Sequence, residues 1–81
     1  MEDRDLIERI NGLSSEEERL WSRASQEGGL GGAEQERLEA IRLELEQVYD
    51  LLNQRRARRN AGLDPDEART RPIDIVENYS Q

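Results

Sequence analysis

The stretch "LEAIRLELEQVYDLL", residues 38–52, is the one on which the fold turns. Its Leu38, Ile41, Leu45, Val48 and Leu52 advance by 3, 4, 3 and 4. On a helix that spacing stacks them into one apolar seam, whereas a strand would need alternation at every second residue. Around "VYDLL" the apolar sector widens to include Tyr49 and Leu51, and a wider sector touches more than one neighbour. Neither glycine nor proline interrupts the chain from Ala33 to Asn60, so the spacing predicts one helix over about 33–60. Asn60-Ala61-Gly62 then supplies a stop, with the glycine free to turn left-handed.

Upstream, "DLIERINGLSSEEERLWSRA" carries a matching stripe. Leu6, Ile10, Leu13, Glu17, Leu20 and Ala24 step by 4, 3, 4, 3 and 4, with Ile7 and Trp21 alongside. Asn11-Gly12 could close a short helix, and Ser14 with Glu17 has the spacing of a capping box that would open another. Because the stripe keeps its phase across Gly12, the sequence favours one helix over about 3–26, at a glycine cost of roughly 1 kcal/mol. Between the two helices, "QEGGLGGAE" has four glycines in five positions. A phosphate-cradling loop would need a preceding strand and a lysine, and the chain contains no lysine; the segment is read as a reversal. The predicted fold is therefore all-α: an antiparallel, coiled-coil-like two-helix hairpin over 1–62 with an arm over 63–81. Reversal at the glycines sets Leu38 beside Leu20 and Trp21, Leu45 beside Leu13, Val48 beside Ile10, and Leu52 beside Ile7.

Periodicity matters because composition alone points elsewhere. Charged residues make up 38% of the 81 and hydrophobic ones 33%, a balance that leans toward disorder unless the apolar residues share a face. Cysteine and histidine are absent, which removes disulfides, thiolate nucleophiles, zinc-finger chemistry and the commonest general base near neutral pH. No cofactor is implied. No apolar run nears the roughly 20 residues of a membrane span, and "MEDRD" lacks the order of a signal peptide. The expectation is a cytoplasmic protein with no membrane contact.

The arm "LDPDEARTRPIDIVENYSQ" is less regular. Asp64-Pro65-Asp66-Glu67 sets a cap, a first-turn proline and an acid in order, and Asp74 with Glu77 repeats the cap spacing. Short helical turns are expected, with Ile73, Val76 and Tyr79 on one docking face.

The net charge of −7 makes "RRARR" conspicuous. Arg55, Arg56, Arg58 and Arg59 occupy the final turns of the long helix, where cations favour the carbonyl end of the dipole. The hairpin register also brings them near Glu2, Asp3, Asp5 and Glu8. An ion-pair hub is the favoured reading. Phosphate or nucleic-acid binding is the alternative, since arginine suits bidentate phosphate contacts; it is disfavoured by acidic flanks and by the lack of an aromatic residue within the cluster.

Glu16, Glu17 and Glu18 resemble a carboxylate site only in sequence, because consecutive helical residues diverge and there is no histidine to complete a metal set. Glu17 falls on the apolar stripe, and a register-fixing pair with Arg42 is its expected role. No catalytic constellation is present, so an enzyme is not expected. A single hairpin offers about a dozen apolar side chains, too few to hold so short a chain comfortably. Two hairpins joined as a four-helix bundle would also bury Ile7, Trp21, Tyr49 and Leu51, which predicts a homodimer acting as an interaction or scaffold module, with a further protein as partner.

"LELEQVYDLLNQRRARRNAGLDPDEARTRP", continued by "VENYSQ", resembles a family of small actinobacterial proteins catalogued as a domain of unknown function. The similarity covers nearly the whole chain and is strongest in "DLLNQRRARRNAG-DPDEA". It implies a short helical hairpin and no activity. Family members often carry tryptophan before the "DLL", where this chain has Tyr49, and histidine after the glutamate run, where it has Arg19; the second departure argues against a histidine-dependent site. The shared block further suggests that the arginines turn back to Asp64, Asp66 and Glu67, tying the arm to the end of the helix.

Overall fold

In the computed structural model, which describes residues 2–79 apart from the Tyr79 side chain, two long helices are followed by a folded-back arm. Helix α1 spans Asp3–Glu27, α2 spans Gly32–Asn60, a single 3-10 turn covers Pro65–Glu67, and α3 runs Ile73–Tyr79. The described residues include no strand. Both long helices extend one residue beyond the expected bounds.

Helix α1 passes through Gly12 without a break, which places Ser14 and Glu17 in mid-helix rather than at a cap. At its start the Glu2 backbone N–H donates to Asp5 Oδ2 at 2.9 Å. At its end Gly28 adopts φ 84°, and the Gly29 N–H reaches back to the Ala24 carbonyl at 2.8 Å. Helix α2 ends the same way. Gly62 has φ 75°, its N–H donates to the Arg59 carbonyl at 3.1 Å, and the Leu63 N–H donates to that of Arg58 at 2.8 Å. A side chain would strain either left-handed position, so these two glycines set where the helices stop.

The seam forms between α1 and α2. Leu6, Ile10, Leu13 and Ala24 are buried from α1, and Leu38, Ile41, Leu51 and Leu52 from α2; Leu13 and Ile41 lie deepest. Leu45 and Val48 pack half-buried against the cluster of Leu6, Ile10, Leu51 and Leu52. Leu20 is half-buried as well.

The two edges of this seam differ. Along one, Arg9 forms a two-pronged pair with Glu44 (2.5 and 2.8 Å), and Arg37 one with Glu16 (2.5 and 2.7 Å). Each of these residues immediately precedes a stripe position: Ile10, Leu45, Leu38 and Glu17. In an antiparallel pair, residues that precede the stripe on both helices share one edge and those that follow it share the other. On that other edge stand Ile7, Trp21 and Tyr49, which follow Leu6, Leu20 and Val48 and are 40%, 54% and 49% exposed.

Beyond Gly62 the arm runs back along α2. Helix α2 touches α1, the 3-10 turn and α3, while among the described residues α1 and α3 do not pack on each other. Val76 is buried and Ile73 half-buried, whereas the Tyr79 side chain, expected on the same face, lies outside the described residues. Asp74 sits within the first turn of α3, and the Pro72 carbonyl accepts the N–H groups of Ile75 and Val76 at 3.0 and 3.1 Å. The helix thus opens earlier than the Asp74 cap would place it, because a proline just ahead of a first turn forfeits no bond.

Candidate functional site

The arginine cluster divides by role. Arg55 continues the seam one turn past Leu52 and is 5% exposed. Its Nε donates to Asp3 Oδ1 at 2.7 Å, and its Nη1 donates to Asp66 Oδ1 at 2.9 Å and to the Pro65 carbonyl at 3.2 Å. Arg59 reaches the second oxygen of Asp3 at 3.0 Å. Arg58 donates to the Asp64 carbonyl at 2.6 Å and to Glu67 Oε2 at 2.7 Å. Arg56 is exposed and has no ion pair among the described residues.

Of the N-terminal acids expected nearby (Glu2, Asp3, Asp5 and Glu8), among the described residues only Asp3 pairs with the cluster, because it lies one turn before Leu6 on the seam line; Asp66 and Glu67 of the arm are both engaged. Asp5 instead accepts from the Glu2 N–H at the helix start. Asp64 contributes its carbonyl to Arg58, while its carboxylate caps the 3-10 turn by accepting the Asp66 N–H at 2.9 Å. Hydrogen bonding from Arg55 holds the Asp3 carboxyl below its usual range, with Arg59 adding to the effect. Asp66 is lowered by Arg55 in the same way.

A second polar constellation was not anticipated from the sequence. Gln54 Nε2 donates to the Arg69 carbonyl at 2.8 Å and Gln47 Nε2 to the Arg71 carbonyl at 3.1 Å. Between them Asp50, whose side chain is 9% exposed, accepts two bonds from the Arg71 guanidinium and one from Gln54 at 2.8 Å. The Arg71 bonds hold the Asp50 carboxyl below its usual range, and Gln54 contributes further. Gln47, Asp50 and Gln54 step by 3 and 4 behind Leu43, a second helical line whose regular spacing is the signal that could have revealed the arm's seat.

The expected Glu17–Arg42 pair is not formed. Arg42 is held by Glu39 at 2.7 Å and Glu46 at 2.6 Å on its own helix, with Glu77 of α3 at 3.9 Å. Partners one turn away are reached without crossing the seam, so Glu17 stands without an ion pair among the described residues. It lines a shallow recess of about 300 Å³ with Trp21, Leu30, Leu38 and Arg42. Glu16 is taken by Arg37, which lowers its carboxyl. Among the described residues no group of three or more acids is placed to hold a metal ion, and no helix is long and apolar enough to cross a membrane.

These features sit on a chain whose residues 2–81 match the profile described as "Protein of unknown function (DUF2630)". The chain is a member of the DUF2630 family. Its relatives include "Uncharacterized protein Rv0898c" of Mycobacterium tuberculosis and "Uncharacterized protein Mb0922c" of Mycobacterium bovis. Each is 42% identical over 78 residues, covering 96% of this chain and 90% of the relative. No solved structure matches this DUF2630 chain. The matched span takes in both the arginine hub and the open edge, so the family relationship covers each candidate site.

Proposed function

We propose that this chain is a small helical interaction module that works as a homodimer, two hairpins closing into a four-helix bundle that presents its surface to a protein partner. The inequality of the hairpin's two edges carries this reading. One edge is bridged from helix to helix by paired charges, while the other, where Arg42 pairs only within α2 and with Glu77 of α3, leaves Ile7, Trp21 and Tyr49 between 40% and 54% exposed. Large apolar side chains gathered on one face of so small a protein favour a covering surface. Binding, not catalysis, fits a chain without histidine or cysteine, and the missing thiols suit the cytoplasm.

The alternative, phosphate or nucleic-acid binding, would draw on arginines of which three already face carboxylates. A chain of net charge −7 would also repel a polyanion. Sedimentation equilibrium tests the preferred reading: the 9.4 kDa chain is expected at twice that mass at micromolar concentration, and Trp21→Glu is expected to return it to the single-chain mass. A wild-type chain that stays helical and monomeric overturns the reading.

A further inference from the structure

The open edge has an internal symmetry that specifies how two copies meet. Ile7, Ser14 and Trp21 are spaced by seven residues each, so they fall on one line along α1 about 10 Å apart. A small side chain sits midway between two large ones. Tyr49 joins the Ile7 end of this line, because α2 runs antiparallel and Tyr49 lies beyond Val48 on the same edge.

Charge is distributed along the same axis. At the Ile7 end stands Arg56, which follows the seam residue Arg55 onto the open edge and has no ion pair among the described residues. The opposite end, around the glycine reversal, holds Glu27, Glu34 and Glu36 with no basic residue from Ala24 to Glu36. There Glu34 keeps a solvent-shielded carboxylate oxygen without a partner.

From this geometry we propose that two copies pair antiparallel through the open edge, about a twofold axis beside Ser14. Trp21 of each copy then covers the Ile7–Tyr49 patch of the other, and Arg56 of each hairpin lies toward the acidic reversal of its partner. A parallel pairing would set Arg56, the acidic reversal and the unpaired Glu17 each against its own copy, which costs repulsion at every one of them. Small Ser14 at the axis lets the two α1 helices approach closely.

The proposal rests on the homodimer reading, and spin-label distances separate the two. The chain has no cysteine, so Ser14→Cys and Ser25→Cys each provide one label, both at positions on the open edge. Antiparallel pairing about Ser14 predicts a short label distance for Ser14→Cys, under about 20 Å, and one of roughly 30–35 Å for Ser25→Cys from the helical rise. Short distances at both positions mean a parallel dimer and overturn the orientation while leaving the dimer intact. A long distance at position 14 in a chain of dimeric mass also overturns it. Monomeric mass for the unlabelled chain removes both readings together.

Discussion

Arg55 gathers acceptors from two parts of the chain far apart in sequence: the Asp3 carboxylate at the start of α1, and the Pro65 carbonyl and Asp66 carboxylate in the arm. A planar guanidinium with donors on several edges can satisfy all three at once, while its carbon stem continues the apolar seam past Leu52. An ammonium cannot span the same spread of directions. Replacing Arg55 with alanine or lysine is therefore expected to lower the melting temperature, by on the order of 10 °C for Arg55→Ala, because the bonds to Asp3, Pro65 and Asp66 and the packing of the buried stem are lost together. Arg56→Ala, on an exposed unpaired residue, should move it by about 2 °C or less. Circular dichroism melts of the variants decide the point, and equal losses at both positions would refute the distinction. In the sequence the four arginines look alike. Only the meeting of α1, α2 and the arm makes one of them central.

Helix α2 works as a two-faced element. Its apolar seam holds α1, and the line of Leu43, Gln47, Asp50 and Gln54 holds the arm by reading backbone carbonyls at Arg69 and Arg71. Residues 68–71 form no helix, consistent with the bias of the residue before Pro72 away from helical backbone, so their carbonyls have no partner within a helix of their own and are open to capture. Asp50 gives this docking a pH dependence. Its folded-state pKa lies below the ordinary value of 3.8, chiefly through Arg71. Its contribution is thus complete above the unfolded value and is lost as pH falls through the lowered folded one. Arm amides near Arg69 and Arg71 are expected to lose hydrogen-exchange protection below about pH 4 while the hairpin seam, whose Asp3, Glu16 and Glu44 pairs weaken in the same window, keeps its own through its apolar contacts, and Arg71→Ala should produce the same selective loss at neutral pH. Loss of protection in seam and arm together would contradict independent docking. The hairpin itself was legible because apolar spacing and glycine stops speak directly for helices and a reversal. The arm's seat was not, because a line of glutamines and an aspartate has the chemistry of a solvent-facing surface until a backbone lies against it. The Glu17–Arg42 expectation failed for a related reason: sequence spacing across a hairpin does not reveal that nearer partners on the same helix have already claimed the arginine.

The described residues form a slab of 51 × 25 × 17 Å, between one and two helix diameters thick in its thinnest direction. Its radius of gyration of 15.3 Å exceeds the roughly 12 Å of a compact domain of this length. A slab buries each helix on few sides: Leu13 and Ile41 are fully enclosed, but among the described residues no second layer covers Ile7, Trp21 and Tyr49 on the open edge. If a second copy supplies that layer, folding and association are one equilibrium, and stability must rise with protein concentration. For a dimer unfolding with about 0.7 kcal/mol of enthalpy per residue, each tenfold increase in concentration should raise the melting temperature by roughly 4–5 °C. Two variants separate this from nonspecific aggregation. Trp21→Glu removes the large apolar side chain from the open edge and should abolish the dependence, whereas Arg71→Ala loosens an arm seated on the far side of α2 and should lower the midpoint while keeping the slope. A wild-type midpoint that does not move between about 5 and 500 μM would mean that the slab is stable alone. The exposed Ile7, Trp21 and Tyr49 would then answer to a different protein surface, one that is not a copy of their own.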